Sequence, residues 1–288
     1  MTVLTNESMK NRSSFRTGGT ADIVVLPENT EELIYALDKY KNSVIVGNCT
    51  NTLVTDKGIR GVVVITSGVR GLCETDCGNE GVITAACGEN LSALACFAMN
   101  NSYTGLEFLY GIPGTVGGGI HMNAGAYGGE MKDAVLSVRL YSPEKGVFEL
   151  NREEMGFGYR ESILKYKDYT VLSASFELKK GNRAETEAKM NEYMALRKSK
   201  QPLEYPSCGS TFKRPEGCFA GKLIEECGLK GCAVGGAMVS EKHAGFIINY
   251  NSATSSDILA LIELVKKSVY EKTGIMLEEE IKIIGEQS

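Results

Sequence analysis

Histidine is almost missing from this chain. Only two occur in 288 residues, His121 and His243. That leaves little for an imidazole-bound zinc or for the histidine base of a serine or cysteine hydrolase. There is no HExxH, and no serine or cysteine stands in a recognisable nucleophile elbow. No segment approaches the ~20 consecutive apolar residues of a membrane span. The opening MTVLTNESMKNRSSFR has no apolar run either, so no signal peptide is expected. An excess of positive charge is missing as well: 31 Lys and Arg stand against 36 Asp and Glu, a net charge of −5, with no basic stripe. This speaks against nucleic acid as the main partner. An anionic small molecule needs only two or three placed cations and stays open.

The common nucleotide fingerprints are also lacking. No GxGxxG opens a helix after a strand, so a Rossmann cofactor site is unsupported. Gly217 to Lys222 reads GCFAGK, one residue short of a P-loop and followed by Leu223 in place of Ser or Thr. It reads as the start of a helix, with a phosphate role as the alternative. The nine cysteines are odd in number and follow no secretory signal, so neither a disulfide framework nor a metal site is expected. The closest-spaced pair, Cys73 and Cys77, is not CxxC. Cys87, Cys96 and Cys227 sit in apolar patterns and read as small core residues. Cys49 and Cys208 fall in loops.

What the chain has in excess is glycine between residues 106 and 129, LEFLYGIPGTVGGGIHMNAGAYGG. Glycine weakens helices and strands, so this density needs a reason. A linker would be polar, but Leu106, Phe108, Leu109, Ile112, Val116, Ile120 and Met122 interrupt the run. Two readings remain. Backbone N–H groups approach a phosphate-bearing cofactor closely, or a tightly turned apolar core needs the space.

Around this stretch the pattern is α+β. Arg16 to Leu26 reads RTGGTADIVVL, a Gly-Gly turn leading into a short β-rich run that Pro27 ends. Thr30 is expected to cap a helix carrying Leu33, Ile34, Leu37 and Tyr40 on one face. Val44–Val46 is a strand leading into the polar loop GNCTNTL, a candidate backbone cradle, and Val62–Thr66 is another strand. Val82–Ala86 precedes a helix capped by Asn90 with Leu91, Leu94, Ala95, Ala98 and Met99 buried. The alternation of Leu136, Val138 and Leu140, the SPEKG turn and Val147–Leu150 read as a hairpin. Leu172, Ala174, Phe176 and Leu178 alternate in the same way. A charged helix from Asn182 to Ser199 presents Ala184, Ala188, Tyr193 and Leu196, and Pro202 and Pro206 stop it. Beyond lie a helix at 220–227, a strand at 246–249 and a helix at 257–272 capped by Ser256 and ended by Gly274. A final strand, 276–284, carries LEEEIKII. The boundaries read as 1–67, 68–200 and 201–288.

Three separated segments hold residues able to do chemistry: GFGYRES with Arg160, CGSTFKRP with Ser210, Lys213 and Arg214, and LEEEIK with Glu278 to Glu280. At period 2, Glu278 and Glu280 share one face of a strand and Glu279 takes the other. Taken singly, Arg160 reads as a surface charge, Ser210 as a turn hydroxyl and the glutamates as a solvated strand end.

Taken together in order, these blocks resemble the UDP-N-acetylenolpyruvoylglucosamine reductase (MurB) family in its shorter, type II form. The resemblance runs from NRSSFRTGGTAD through GLEFLYGIPGTVGGGIHMNAGAYGGE, GFGYRES, QPLEYPSCGSTFKRPEG, AGKLIEECGLKG and VSEKHAGFIIN to LEEEIKIIG. It implies a two-subdomain FAD-binding module of the PCMH/vanillyl-alcohol-oxidase kind (1–67 and 68–200), followed by a smaller α+β substrate-binding domain (201–288). It implies non-covalent FAD between two backbone cradles, Gly47, Asn48, Cys49, Thr50 and Asn51 on one side, and Ile112, Pro113, Gly114, Thr115, Gly117 and Gly118 on the other. Asn123, Gly125 and Ala126 lie near the flavin by the same resemblance.

The implied reaction is reduction of the enolpyruvyl ether of UDP-N-acetylglucosamine enolpyruvate to a lactyl ether, with NADPH as co-substrate, in peptidoglycan precursor synthesis. By the same resemblance Arg160 holds the substrate carboxylate and stabilises developing charge, Ser210 donates the proton, and Glu280 helps polarise the intermediate. Lys213 and Arg214 lie near the substrate diphosphate, and Tyr127 lines the site. A cytoplasmic monomer is the implied setting, with no membrane and no nucleic-acid partner. The chain departs from the family at Asn48, Cys49 and Thr50, where glycine and serine are usual, at Arg214 in place of Asn, and at Glu279 and Lys282. Two other readings are a flavin-dependent oxidase, with His121 or Cys49 as covalent flavin attachments, and a nucleotide-sugar-binding protein without catalysis.

Overall fold

Leu172, Ala174, Phe176 and Leu178 alternate along one strand, and all four are buried while Glu177 between them is exposed. The period-2 pattern thus does what it should on a half-buried sheet. In the computed structural model, which describes residues 1–286 apart from Cys77 and Asn79, this strand, Thr170–Lys180, lies at the middle of an antiparallel sheet. The order across it is Gly146–Asn151, Val135–Ser142, Thr170–Lys180, Glu80–Ala86, Leu72–Asp76, with Tyr103–Thr104 also pairing with the central strand. Val138 stands opposite Leu150 on one side and Ala174 on the other. The hairpin expected from SPEKG is present, closed by the Ser142↔Gly146 pair.

The chain separates into two compact units interleaved along the sequence. One comprises Met1–Val3, Val25–Asn48 and Val63–Arg197; the other comprises Leu4–Val24, Cys49–Val62 and Lys198–Ser288. In the first, Val44–Val46 pairs in parallel with Val63, Val64 and Ile65, and the helix Thr30–Lys39 precedes it. The cap of that helix is Asn29, whose side chain accepts the Glu32 N–H at 2.9 Å; Thr30 is its first helical residue. The helix Leu91–Asn100 is held as expected by Leu91, Leu94, Ala95, Ala98 and Met99.

The helix Arg183–Lys200 buries a different face from the one expected. Its buried residues are Thr186, Met190 and Arg197, while Ala184 and Ala188 are exposed. Alanine carries too little apolar surface to decide which face turns inward. Here an arginine with an aliphatic stem does so instead.

In the second unit, the helix Ser255–Thr273 packs Ile258, Leu261, Ile262, Val265 and Val269 into a core with Phe15, Leu53, Phe212, Ile224 and Val239. Its cap is Thr254, which forms a reciprocal capping box with Asp257. Ser256 is inside the helix, and its N–H and hydroxyl both donate to Asp56. Gly274 ends the helix at φ 73°. The strands Ala233–Val234, Ala237–Val239 and Ile247–Asn249 form a small antiparallel sheet. The last strand is shorter than expected, Lys282–Ile284, and pairs in parallel with Thr52–Val54. The glutamates ahead of it lie outside that strand; their backbone forms the isolated bridge Phe212↔Glu279, with the Lys213 N–H donating to the Glu278 carbonyl and the Glu280 N–H to the Thr211 carbonyl. Among the described residues no helix is long and apolar enough to cross a membrane, and no group of three His, Cys, Asp or Glu is arranged to hold a metal.

Candidate active site

Within the first unit, Gly47 at the start of one expected cradle approaches Thr115 of the other. A Cβ placed on Gly47 would stand 2.4 Å from the Thr115 hydroxyl oxygen, so nothing larger than glycine fits where the loops approach. Thr115 caps the short helix Val116–His121 and accepts the Gly118 N–H at 3.3 Å. The Val116 and Gly117 N–H groups donate to Glu89 and Cys87 carbonyls, both at 2.8 Å, anchoring the second loop on its neighbour. Among the described residues, no acceptor is found for the N–H groups of Asn48, Gly114 or Thr115 in the first unit, nor for those of Cys49 and Thr50 in the second. Backbone donors are seldom left without a partner, and open N–H groups of this kind suit an anion.

Part of the glycine-rich stretch serves the tight core of its second reading. Gly119 packs against Leu91 and Met131, and a Cβ on Gly129 would enter the Phe108 ring at 2.6 Å. Those glycines serve a tight core. Gly118 has ordinary room, with only Thr115 near it, and belongs to the open loop.

The departures at Asn48 and Cys49 do not fill the cradle. The Asn48 amide donates to Asn90 Oδ1 at 3.2 Å, so that side chain is turned onto the neighbouring helix cap. The Cys49 side chain is only 3% exposed, and burial pushes its thiol up to about 11. A protonated, enclosed thiol is a poor point for covalent flavin attachment.

Asn123 is fully buried and its amide is fully engaged. It donates to Glu130 Oε2 at 3.0 Å and to the Gly158 carbonyl at 2.9 Å, and accepts the Lys132 N–H at 3.0 Å. Its side chain therefore ties down the loop that carries Arg160, and only its backbone remains to face a ligand. Gly158 closes a turn on Glu161. Arg160 sits inside this turn, donating to the Gly125 carbonyl at 3.3 Å and lying over the Tyr159 ring at 5.2 Å. Ser162 behind it is fully buried and donates to the His121 carbonyl at 2.9 Å. Gly125 and Ala126 form a two-residue strand against Gly129 and Glu130. Tyr127 stacks on Tyr193 at 4.4 Å, donates to its carbonyl, and has the Arg197 guanidinium 5.1 Å from its ring.

Ser210 lies in the second unit, directly after Gly209, which has φ 75°. Its hydroxyl has no hydrogen-bond partner among the described residues. The next residues are fixed: Thr211 is fully buried, its carbonyl accepts the Glu280 N–H at 2.8 Å, and its N–H donates to Gly245. Ser210 and Glu280 are thus carried on adjoining segments. Lys213 pairs with Glu278 at 2.9 Å, a pair whose glutamate is largely exposed and which is worth little to stability. Arg214 lies over the Phe219 ring at 4.0 Å. Lys266 neutralises Glu279 at 2.8 Å, so within this acidic triplet two carboxylates already have lysine partners.

Backbone conformation marks the same residues. Among the described residues, nine non-glycine residues have positive φ, and four of them are Cys49, Asn123, Tyr127 and Arg160. Each such residue costs about 1–2 kcal/mol, and strain of this kind gathers where a side chain or N–H must be aimed. Four neighbours were not read as site residues in the sequence: Ser14, Asn90, Tyr193 and Arg197. Asn90 and Tyr193 were placed only as a helix cap and on a helix face, and the contacts of all four come from the fold.

Residues 201–284 match the family described as UDP-N-acetylenolpyruvoylglucosamine reductase, C-terminal domain, and residues 21–151 the family described as FAD binding domain. The chain is 49% identical over 285 residues to the UDP-N-acetylenolpyruvoylglucosamine reductase of Clostridioides difficile (strain 630), covering 98% of this chain and 93% of that one. It is 50% identical over 286 residues to the enzyme of the same name from Caldanaerobacter subterraneus subsp. tengcongensis, with the same coverage. Among solved structures it resembles UDP-N-acetylenolpyruvylglucosamine reductase (MurB) from Thermus caldophilus, with a TM-score of 0.81, 33% identity and 98% of both chains covered.

Proposed function

The chain belongs to the UDP-N-acetylenolpyruvoylglucosamine reductase family, and we propose that its chemistry is divided among Arg160, Ser210 and Glu280. The enzyme reduces UDP-N-acetylglucosamine enolpyruvate to UDP-N-acetylmuramate with NADPH. FAD, when bound, would supply the redox chemistry that links NADPH to the enolpyruvyl double bond. Gly47 to Asn51 and Ile112 to Gly118 hold its diphosphate through backbone N–H groups. The carrying observation is the close approach of Gly47 to Thr115, in a chain alike over nearly its whole length to reductases of this name.

Arg160 holds the substrate carboxylate through its guanidinium fork and offsets the negative charge that builds beside it. Its left-handed backbone, at φ 55°, and the bond from its guanidinium to the Gly125 carbonyl support this reading. Ser210 donates a proton to the carbon next to the carboxylate; its hydroxyl has no competing partner among the described residues. Glu280 polarises that intermediate. Lys213 and Arg214 receive the substrate diphosphate, Lys213 by exchanging an exposed carboxylate partner for a phosphate. Tyr127 lines the site. In this reading 1–67 and 68–200 are the FAD-binding subdomains and 201–288 the substrate domain, and the enzyme works as a monomer in the cytoplasm.

NADPH oxidation by the purified holoenzyme, measured with and without the enolpyruvyl substrate, tests the assignment. Oxidation should depend on that substrate and yield one muramate product per NADPH. Steady oxygen consumption independent of substrate would instead make the protein an oxidase.

A further inference from the structure

The first cradle is built on a cysteine where glycine would turn more easily, and the structure shows what compensates. Cys49 adopts φ 48°. Its carbonyl accepts two hydrogen bonds from one residue, the Ser14 N–H at 3.3 Å and the Ser14 hydroxyl at 3.0 Å. The Cys208 sulfur lies 3.1 Å from that hydroxyl and 3.8 Å from the same carbonyl, and it donates to the Thr52 carbonyl at 3.2 Å. Ser14 and Cys208 thus grip the left-handed turn from both ends, at residue 49 and at residue 52. Burial holds the Cys208 thiol up to about 12, so at neutral pH it is a donor and a packing group and not a nucleophile. Cys208 also stands two residues before Ser210.

We propose that Ser14 and Cys208 are positioning residues for the cofactor: they hold Cys49 left-handed, so that the Cys49 and Thr50 N–H groups stay presented to the FAD diphosphate. This rests on the FAD reading given above. Glycine at 49 would occupy the same conformation without help, and the grip would then be dispensable for binding.

Titration of the full-length apoprotein with FAD, followed by flavin fluorescence, tests this in two backgrounds. With Cys49 present, Cys208→Ala and Ser14→Ala should each weaken FAD binding about tenfold, while Cys208→Ser, which keeps a donor, should stay within about threefold of the parent. In the Cys49→Gly background the same Cys208→Ala change should weaken FAD binding by less than about threefold. It should still lower the melting temperature as much as it does with Cys49. Equal weakening in both backgrounds, or none in either, would overturn the proposal. Should Cys208→Ala fail to fold, Ser14→Ala at its half-buried position carries the comparison alone. Parent protein that takes up no FAD would overturn the functional reading beneath it and this inference as well.

Discussion

The Arg197 guanidinium is centred 5.1 Å from the Tyr127 ring and is buried, yet among the described residues no carboxylate pairs with it. Its Nε donates to the Tyr110 carbonyl at 3.2 Å and its Nη2 to the Phe108 carbonyl at 3.3 Å. Burial lowers its proton affinity, and the fork is satisfied by carbonyls alone. The arginine therefore joins the end of the helix Arg183–Lys200 to the turn that enters the second cradle, and to a tyrosine of the proposed site.

Arg197→Ala strands two carbonyls and removes the packing over Tyr127. It should destabilise the apoprotein by about 3 kcal/mol. Arg197→Lys keeps one donor but not the fork, and should cost roughly half as much. Urea denaturation of both variants gives the comparison.

Gly47→Ala would drive a methyl group to 2.4 Å from the Thr115 hydroxyl. The loops must separate to admit it, and Thr115 must compromise its bond to Gly118. FAD affinity should fall by at least about tenfold, roughly 1.4 kcal/mol. Equilibrium titration with FAD would show it, and unchanged affinity would mean that the diphosphate does not sit between these loops.

Ser210→Ala should leave reduction of the bound flavin by NADPH intact and block reoxidation by the enolpyruvyl substrate, because only the second half-reaction needs its proton. Stopped-flow absorbance separates the two. Equal loss in both would remove Ser210 from proton transfer. Arg160→Lys should lower substrate turnover by about a hundredfold, since a lysine cannot form the two-pronged contact.

Asp257 ties stability to pH. The Thr254 N–H, followed by that of Gly236, holds its carboxyl below the ordinary 3.8. A carboxyl depressed by folding contributes stability that is present above its unfolded value and disappears as pH falls through its folded one. Asp257→Asn should therefore cost about 1 kcal/mol near neutral pH. The difference from the parent should shrink as pH falls below the ordinary carboxylate range and vanish once the folded carboxyl is protonated as well. Denaturation midpoints across that range would reveal the convergence.

The sequence made some of this visible and hid the rest for physical reasons. Alternation at Leu172 to Leu178 and the stripe Ile258, Ile262, Val265, Val269 were readable because burial follows directly from side-chain period. Caps were misplaced by one or two residues at Asn29 and Thr254, since neighbouring polar residues compete for the same N–H. The LEEE segment looked like a strand, but its backbone pairs with Phe212 through a single bridge. Gly47 and Thr115 were marked out by glycine and polar runs, and their loops do approach closely. The contacts around Cys49 were not legible: Ser14 and Cys208 are 194 residues apart, and nothing in the sequence pairs them.

The strand Thr52–Val54 has its parallel partner at Lys282–Ile284, and the Asn51 amide donates to the Glu280 carbonyl from 229 residues away. On a ribosome that makes about 5–20 residues each second, the first of these waits roughly 10–45 s for the second. Throughout that interval the Thr52–Val54 edge, with its buried Leu53, is an open template for other strands. The nascent protein should accordingly depend on chaperone protection late in synthesis, and losing even its last few paired residues should turn it from a slow folder into an aggregating one.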